Sequence, residues 1–337
     1  MIPSAILSAY GLPAETTQQE LTGGMVHKTF LVKPSPDPER WVIIQGIRSL
    51  FQPGVMGDIS AITEHLAKRG VQTPRAVKTA AGALFVNGEG GSWWRALTYI
   101  PGRAVHRITD AEMAKQAGAF VGRFHSALAD LNHSFAFSLP HFHDTKYHIE
   151  RARTVVEGAP AERRTLFQEP MAFIEQEYLR VQARVAGLPQ RIIHGDLKIS
   201  NVIFAERGPG VNALIDLDTL MHQSVVTELG DAFRSWCATG EEGESSLAFD
   251  VNMYEAALAG YLHEAPFITD AERASIPFGV AVITLELSAR FIADACEESY
   301  FTFDRSRYPS LFEQNKMRAE SQLSLYRSMR TRLPDLL

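Results

Sequence analysis

One stretch of this 337-residue chain gathers side chains that could move a phosphoryl group. Residues 191–219 read RIIHGDLKISNVIFAERGPGVNALIDLDT, and two acids, Asp196 and Asp216, each stand at the end of a short β-favouring run. A hard divalent cation such as Mg2+ takes oxygen ligands, a few from protein and the rest from water and phosphate. The amide oxygen of Asn201 and the carboxylate of Asp216 would form such a set. Asp196, left off the metal, would then accept the proton of a substrate hydroxyl. Lys198 would reach a transferring phosphate as a point charge. Phosphoryl transfer asks a protein mainly for positioning and charge neutralisation. Taken alone, the same residues also fit a turn whose two aspartates cap loops; the strand-like flanks favour the catalytic reading.

The elements that must position these residues follow from pattern. Runs 191–193, 202–204 and 213–215 read as strands, the last two joined by the turn RGPG. Upstream, residues 29–32 and 41–47 are β-favouring, and residues 83–86 and 93–100 flank the turn NGEGG as a hairpin. A helical spacing over residues 55–69 stops at Gly70. PGR at 101–103 breaks the strand pattern, which sets a boundary between lobes 1–100 and 101–337, with a hinge near 97–103. Beyond it the chain is mostly helical. Thr109 and Glu112 have capping-box spacing, and Pro170 is placed at the first turn of a helix that ends at Gly187. The expected class is α+β, with a small β-rich lobe and a larger α-rich one.

HGDLKISNVIF followed by IDLDT resembles the catalytic loop and metal motif of the aminoglycoside phosphotransferase superfamily, kinase-like folds that phosphorylate small molecules. The resemblance implies Asp196 as catalytic base, Asn201 and Asp216 as Mg2+ ligands, and Asp218 as an aid to the metal or to loop orientation. His194 and Asp231 would organise the loop. Within the superfamily, several ordered segments are similar to the N-acetylhexosamine 1-kinases: VIIQGI with the later FQP and Met56 to Ile59, FHDT at 142–145, ELSARFIADACEESYF at 286–301, and Asn315, Arg318 and Gln322 near the end. By that likeness Arg290 and Tyr300 contact a sugar acceptor, and His27 stands at a sugar-side position in GMVHKTF. The chain departs from that family at His27, at Met25 and at Gly195. Gly23, Gly24 and Thr29 fall where a kinase-like fold covers nucleotide phosphates. Gln45 occupies the strand position where most kinases carry Lys, which leaves Arg48 or Lys28 as substitutes. Thr98, Tyr99 and Ile100 would meet the adenine at the hinge.

The expected activity is therefore ATP- and Mg2+-dependent transfer to a small-molecule hydroxyl, of a sugar in first place. Choline, homoserine and aminoglycosides are the other acceptors of the superfamily. Glu241, Glu242, Glu244, Glu297 and Glu298 are the acids a polycationic acceptor would want. The missing Lys also raises a non-catalytic, nucleotide-binding protein. A net charge of −6 with no Lys/Arg block argues against nucleic acid as a partner. His141, His143, His148 and Asp144 fit no zinc spacing. Two distant cysteines, Cys237 and Cys296, give no disulfide framework. With no signal-peptide pattern at the start and no run of about 18 uninterrupted apolar residues, the expected location is the cytoplasm, away from membranes.

Overall fold

The structure, a computed structural model, describes residues 1–21, 27–47, 51–240, 243–244 and 246–333. A short helix α1 (Ser4–Ala9) precedes strands β1 (Thr17–Leu21), β2 (Lys28–Lys33) and β3 (Val42–Ile47). Helix α2 (Val55–Lys68) follows, then β4 (Ala76–Val77), β5 (Val86–Asn87) and β6 (Trp93–Thr98). These strands make one antiparallel sheet in the order β1-β2-β3-β6-β4, with β5 also paired to β6.

Side chains alternate across a strand, and the register shows what each face carries. Phe30, Val32, Ile44 and Ala96 share one face and bury Ile2, Ile6 and Leu7 of the N-terminal segment against it. The opposite face holds Ile47 and Trp93, which pack into the main core with α2. On that second face lies a polar row, Thr29–Gln45–Arg95, formed by direct cross-strand partners. Helix α2 buries Val55, Met56, Ile59, Ile62 and Leu66 along one stripe, the spacing expected of an amphipathic helix. It lies before residue 100, yet its apolar stripe belongs to the same cluster as the C-terminal helices.

After Thr98 the chain leaves this sheet. Strand β7 (Arg103–Ala104) pairs instead with β9 (Val202–Phe204), which pairs with β10 (Val211–Leu214). Helices α3 (Ala111–Leu128), α4 (Thr145–Gly158) and α5 (Ala161–Val181) lie between, and β8 (Arg191–Ile193) pairs with β11 (Met221–Gln223). Then come α6 (Val225–Trp236), β12 (Ala238–Thr239), β13 (Ala248–Phe249), α7 (Val251–Glu264), α8 (Asp270–Glu297) and α9 (Leu311–Arg332). Helices α3 and α7 approach closely because Gly118, Gly122 and Gly260 stand at the crossing. A Cβ on Gly118 would lie 2.0 Å from the Ala257 carbonyl oxygen.

Two expected helix starts are displaced. Asp110, one residue after Thr109, caps α3 by accepting from the Met113 amide at 2.9 Å. A carboxylate reaches the third amide as well as a hydroxyl does, so the Thr109–Glu112 spacing was coincidental. Pro170 lies inside the 21-residue α5 rather than at its start. The carbonyl it cannot pair is that of Leu166, a residue 42% exposed, so water can serve it. Helix α8 is long and apolar enough to cross a membrane, but 89% of its most apolar window is buried inside the protein as the central core helix.

Candidate active site

Strand β8 delivers His194 and Gly195, and the β9–β10 hairpin returns the chain to Asp216 beside them. Gly195 has φ +86°, and a Cβ there would lie 2.4 Å from the Thr219 carbonyl oxygen, so both conformation and space call for glycine. His194 lies 2.8 Å from the Ile215 carbonyl through Nε2 and 3.3 Å from the Asp196 amide through Nδ1. A carbonyl only accepts and an amide only donates. The ring is therefore neutral with its proton on Nε2. Thr219 Oγ1 donates to the His194 carbonyl at 2.8 Å. The Gly195 peptide is held at both ends: its N–H donates to Glu228 at 3.1 and 3.2 Å, and its carbonyl accepts from His143 Nε2 at 2.8 Å. Glu228 takes the anchoring part expected of Asp231, which instead pairs with Arg234 one helical turn away at 3.0 Å.

Asp196, Lys198, Asn201 and Asp216 come together. Lys198 Nζ lies 2.6 Å from Asp196 and 3.9 Å from Asp216. Asn201 Nδ2 donates to the Asp196 carbonyl at 2.8 Å and to its carboxylate at 3.2 Å. The Asn201 amide oxygen makes no hydrogen bond among the described residues. The Asp196 and Asp216 side chains are 27% and 38% exposed, so both open to solvent. Burial alone would raise the Asp196 carboxyl, but the Lys198 ammonium reverses this and holds it below the usual range. Burial opposes the charge on Lys198, and Asp196 with Asp216 outweighs it, so the ammonium is held above its usual range. Burial and then the adjacent Asp218 push Asp216 up. Asp216 sits at φ +66°, a left-handed conformation that Asp tolerates better than most residues.

A divalent cation fits this donor set. Asn201 and Asp216 offer two hard oxygens, and no group of three or more His, Cys, Asp or Glu among the described residues competes as a metal cage. Two protein ligands completed by phosphate and water is the habit of Mg2+.

Asp218 does not join these ligands. Both its oxygens are taken by the Arg95 guanidinium, Nη2 to Oδ2 at 2.6 Å and Nη1 to Oδ1, and His27 Nε2 lies 3.1 Å from Oδ2. The expected metal role thus gives way to an ion pair between the N-terminal sheet and the turn after β10. Burial opposes ionisation, but Arg95 and His27 hold the Asp218 carboxyl well below the usual range. His27 is spent here, 6% exposed, and not on the acceptor side. Gln45 occupies the expected strand position, accepts from Arg95 Nε at 2.9 Å and donates to Thr29 Oγ1 at 3.1 Å. Arg95 belongs to no motif; its one signal in the sequence is a lone Arg inside WWRALT, flanked two residues either way by Trp93 and Leu97. At the hinge, the Thr98 N–H donates to the Arg75 carbonyl and the Thr98 hydroxyl accepts from the Arg75 N–H, both at 2.9 Å, and the Tyr99 N–H reaches the Trp41 carbonyl at 3.3 Å. The Ile100 N–H makes no hydrogen bond among the described residues. Gly23, Gly24, Met25, Arg48, Glu241 and Glu242 lie outside the described residues.

On the other side of Asp196, Glu286 of α8 is buried at 1% exposure. It accepts from Thr145 Oγ1 at 2.6 Å, faces His143 Nδ1 at 3.7 Å and faces Arg290 at 3.6 Å. Burial opposes both charges of the His143–Glu286 pair, but their mutual attraction dominates. His143 rises to about 9 and Glu286 falls to about 2. Arg290 also donates to the Tyr300 hydroxyl at 3.3 Å, so the pair expected to meet the acceptor does meet, and Tyr300 is 64% exposed. The neighbouring histidines serve the start of α4: His148 reaches the His141 carbonyl, His141 lies 3.2 Å from Asp144, and Asp144 caps the helix. Glu297 and Glu298 are paired with Arg151 and Arg163.

An antiparallel sheet over a helical body, with Asp, Lys, Asn and Asp gathered on one loop pair, is the arrangement of a protein-kinase-like fold. Over its whole length the chain is similar to solved structures of this fold. A microcompartment-associated aminopropanol kinase superposes with a TM-score of 0.69 at 18% identity, over 99% of this chain and 97% of that one. An amicoumacin kinase in complex with AMP-PNP, Ca2+ and Ami gives 0.63 at 14% identity, over 98% and 92%. Residues 53–270 match the phosphotransferase enzyme family, APH, and the chain belongs to that family. A homoserine kinase of Beijerinckia indica is 28% identical over 222 residues, which span 64% of this chain and 62% of that protein.

Proposed function

We propose that the protein transfers the γ-phosphoryl group of ATP, with Mg2+, to the hydroxyl of a small amino alcohol or hydroxy amino acid. The observation that carries the reaction is the meeting of Asp196, Lys198, Asn201 and Asp216 on one rigidly hydrogen-bonded loop pair. The ionised Asp196 orients the acceptor hydroxyl and takes its proton as the new bond forms. Lys198, charged and close to both acids, faces the negative charge of the group in flight. Asn201 and Asp216 would hold the metal, which would supply neutralisation of phosphate charge. The Ile100 amide is the hinge group left to meet a nucleotide base.

The acceptor reading rests on charge. Behind Asp196 stand Glu286, His143 and Arg290 in one connected ionic network, a setting for an ionic acceptor. The similarity to homoserine and aminopropanol kinases points the same way. A sugar remains the second reading, favoured by the Arg290–Tyr300 contact that the acetylhexosamine resemblance implies.

The test is ATP consumption screened over homoserine, aminopropanol, choline, N-acetylhexosamines and aminoglycosides, with product identified by phosphorus NMR. Asp196→Asn serves as control: turnover falls by about 10²–10⁴-fold while nucleotide affinity stays unchanged. Phosphorylation of sugars alone overturns the acceptor assignment. Unaltered turnover in Asp196→Asn overturns the base.

A further inference from the structure

The kinase reading leaves an electrostatic gap on the nucleotide side. Strand β3 carries Gln45 where a Lys would serve, and α2 cannot supply the usual acidic partner for one. Its buried acid, Asp58, is spent on the Ala136 and Phe137 amides at 3.0 to 3.2 Å and on His133 at 2.9 Å. The positive charge lies one strand over. Arg95 is the cross-strand partner of Gln45, on the same sheet face, and is 1% exposed. Its Nε is fixed by Gln45 and its fork grips both oxygens of Asp218.

Asp216 stands two residues before Asp218, and the loop that carries both is tied to the N-terminal sheet across a sequence separation of 123 residues. We propose that Arg95 is a positioning residue for the metal–nucleotide complex: acting through Asp218, it fixes the Asp216 loop beneath the sheet. Arg95 thus takes over the place of the missing strand lysine without touching phosphate. A guanidinium suits this role because its planar fork matches a carboxylate in a way an ammonium does not.

The proposal rests on the kinase reading, and calorimetry separates the two. ADP is titrated with and without Mg2+ into the wild type, Arg95→Met and Arg95→Lys, with circular dichroism to verify folding. Partners one step removed from a metal ligand govern metal affinity by about 10–100-fold. Arg95→Met is therefore expected to weaken Mg·ADP binding by about tenfold or more while metal-free ADP binding stays within about twofold. Arg95→Lys, which keeps the charge and loses the fork, is expected to show a smaller loss, still confined to the Mg2+ titration, and it decides the matter if Arg95→Met does not fold. Equal losses with and without Mg2+ would mean that Arg95 contacts phosphate directly, and no loss would mean a purely structural pair; either result overturns the proposal. A wild type whose ADP binding ignores Mg2+ overturns the metal reading and this inference with it.

Discussion

Two buried ion pairs flank the catalytic loop, and they differ in chemistry. On the nucleotide side, Arg95 and Asp218 join strand β6 to the turn after β10. On the acceptor side, His143 and Glu286 join the segment before α4 to the middle of α8, and His143 also holds the Gly195 carbonyl. The first pair uses a cation that stays charged throughout the working pH range and two matched hydrogen bonds. The second uses an imidazole whose charge exists because Glu286 faces it, at 3.7 Å, too far for a hydrogen bond. One clamp is thus indifferent to pH and the other is conditional on it.

The strongest way to break this contrast is Glu286→Gln. It removes the carboxylate that faces both His143 and Arg290, and breaking such a buried pair costs about 3–5 kcal/mol, read by denaturant unfolding. The pH dependence carries the distinctive sign. His143 is raised from 6.5 to about 9, so its stabilisation is whole below 6.5 and fades as pH climbs through 9. Glu286 is lowered from 4.5 to about 2, so its share is whole above 4.5 and fades as pH falls through 2. The pair contributes fully between those inner values, and wild-type stability is expected to decline from pH 7 towards 9. In Glu286→Gln that decline is expected to flatten. A variant with the wild-type slope would show that the pair is not what responds.

A second experiment works between the two clamps. Lys198 holds Asp196 below the usual carboxylate range and lies near Asp216. Lys198→Met is expected to reduce kcat by about 10²–10³-fold, the scale for losing one group that meets transition-state charge. It should also move the acid limb of the kcat–pH profile upward, because the base loses the neighbour that depresses it. An acid limb that stays put while the rate falls would leave Lys198 facing phosphate but not tuning Asp196. Neither clamp takes part in this shift, so thermal stability should change little.

The same division explains what could be read in advance. Asp196, Lys198, Asn201 and Asp216 lie in one short run, their spacing is set by β9, β10 and a turn, and local pattern was enough to bring them together. The α+β order and the strands on either side of residue 98 are likewise local. What surrounds the loop is not. Glu228, His143 and Glu286 reach it from remote helices and segments. Glu286 and Arg290 face each other as a local i, i+4 pair; the His143 and Thr145 contacts on the same carboxylate arrive from 141 to 143 residues away. Arg95 is a charge inside an apolar strand, and its partner Asp218 lies 123 residues away, beyond the reach of local pattern. The resemblance places His27 on the acceptor side and Asp218 at the metal or the loop, because a motif names positions and not the counter-ions that claim them.

The mildest test concerns how independently the acceptor-side anchor is supported. Helix α6 carries Glu228 to the Gly195 amide, and its start is capped by Ser224, whose hydroxyl accepts from the Val226 amide at 3.2 Å. Ser224→Ala removes that cap, at a cost of about 1 kcal/mol. Glu228 itself is 1% exposed and held by two contacts to Gly195, with His125 3.8 Å away. The carboxylate should therefore stay in place when the helix end frays. Melting temperature is expected to fall by about 2–4 °C, with kcat nearly unchanged. A loss of kcat out of proportion to that small destabilisation would show that the catalytic loop depends on the helix terminus as well as on Glu228. The acceptor-side clamp would then extend through the whole first turn of α6, whereas its counterpart centres on one guanidinium and one carboxylate, with Gln45 and His27 beside them.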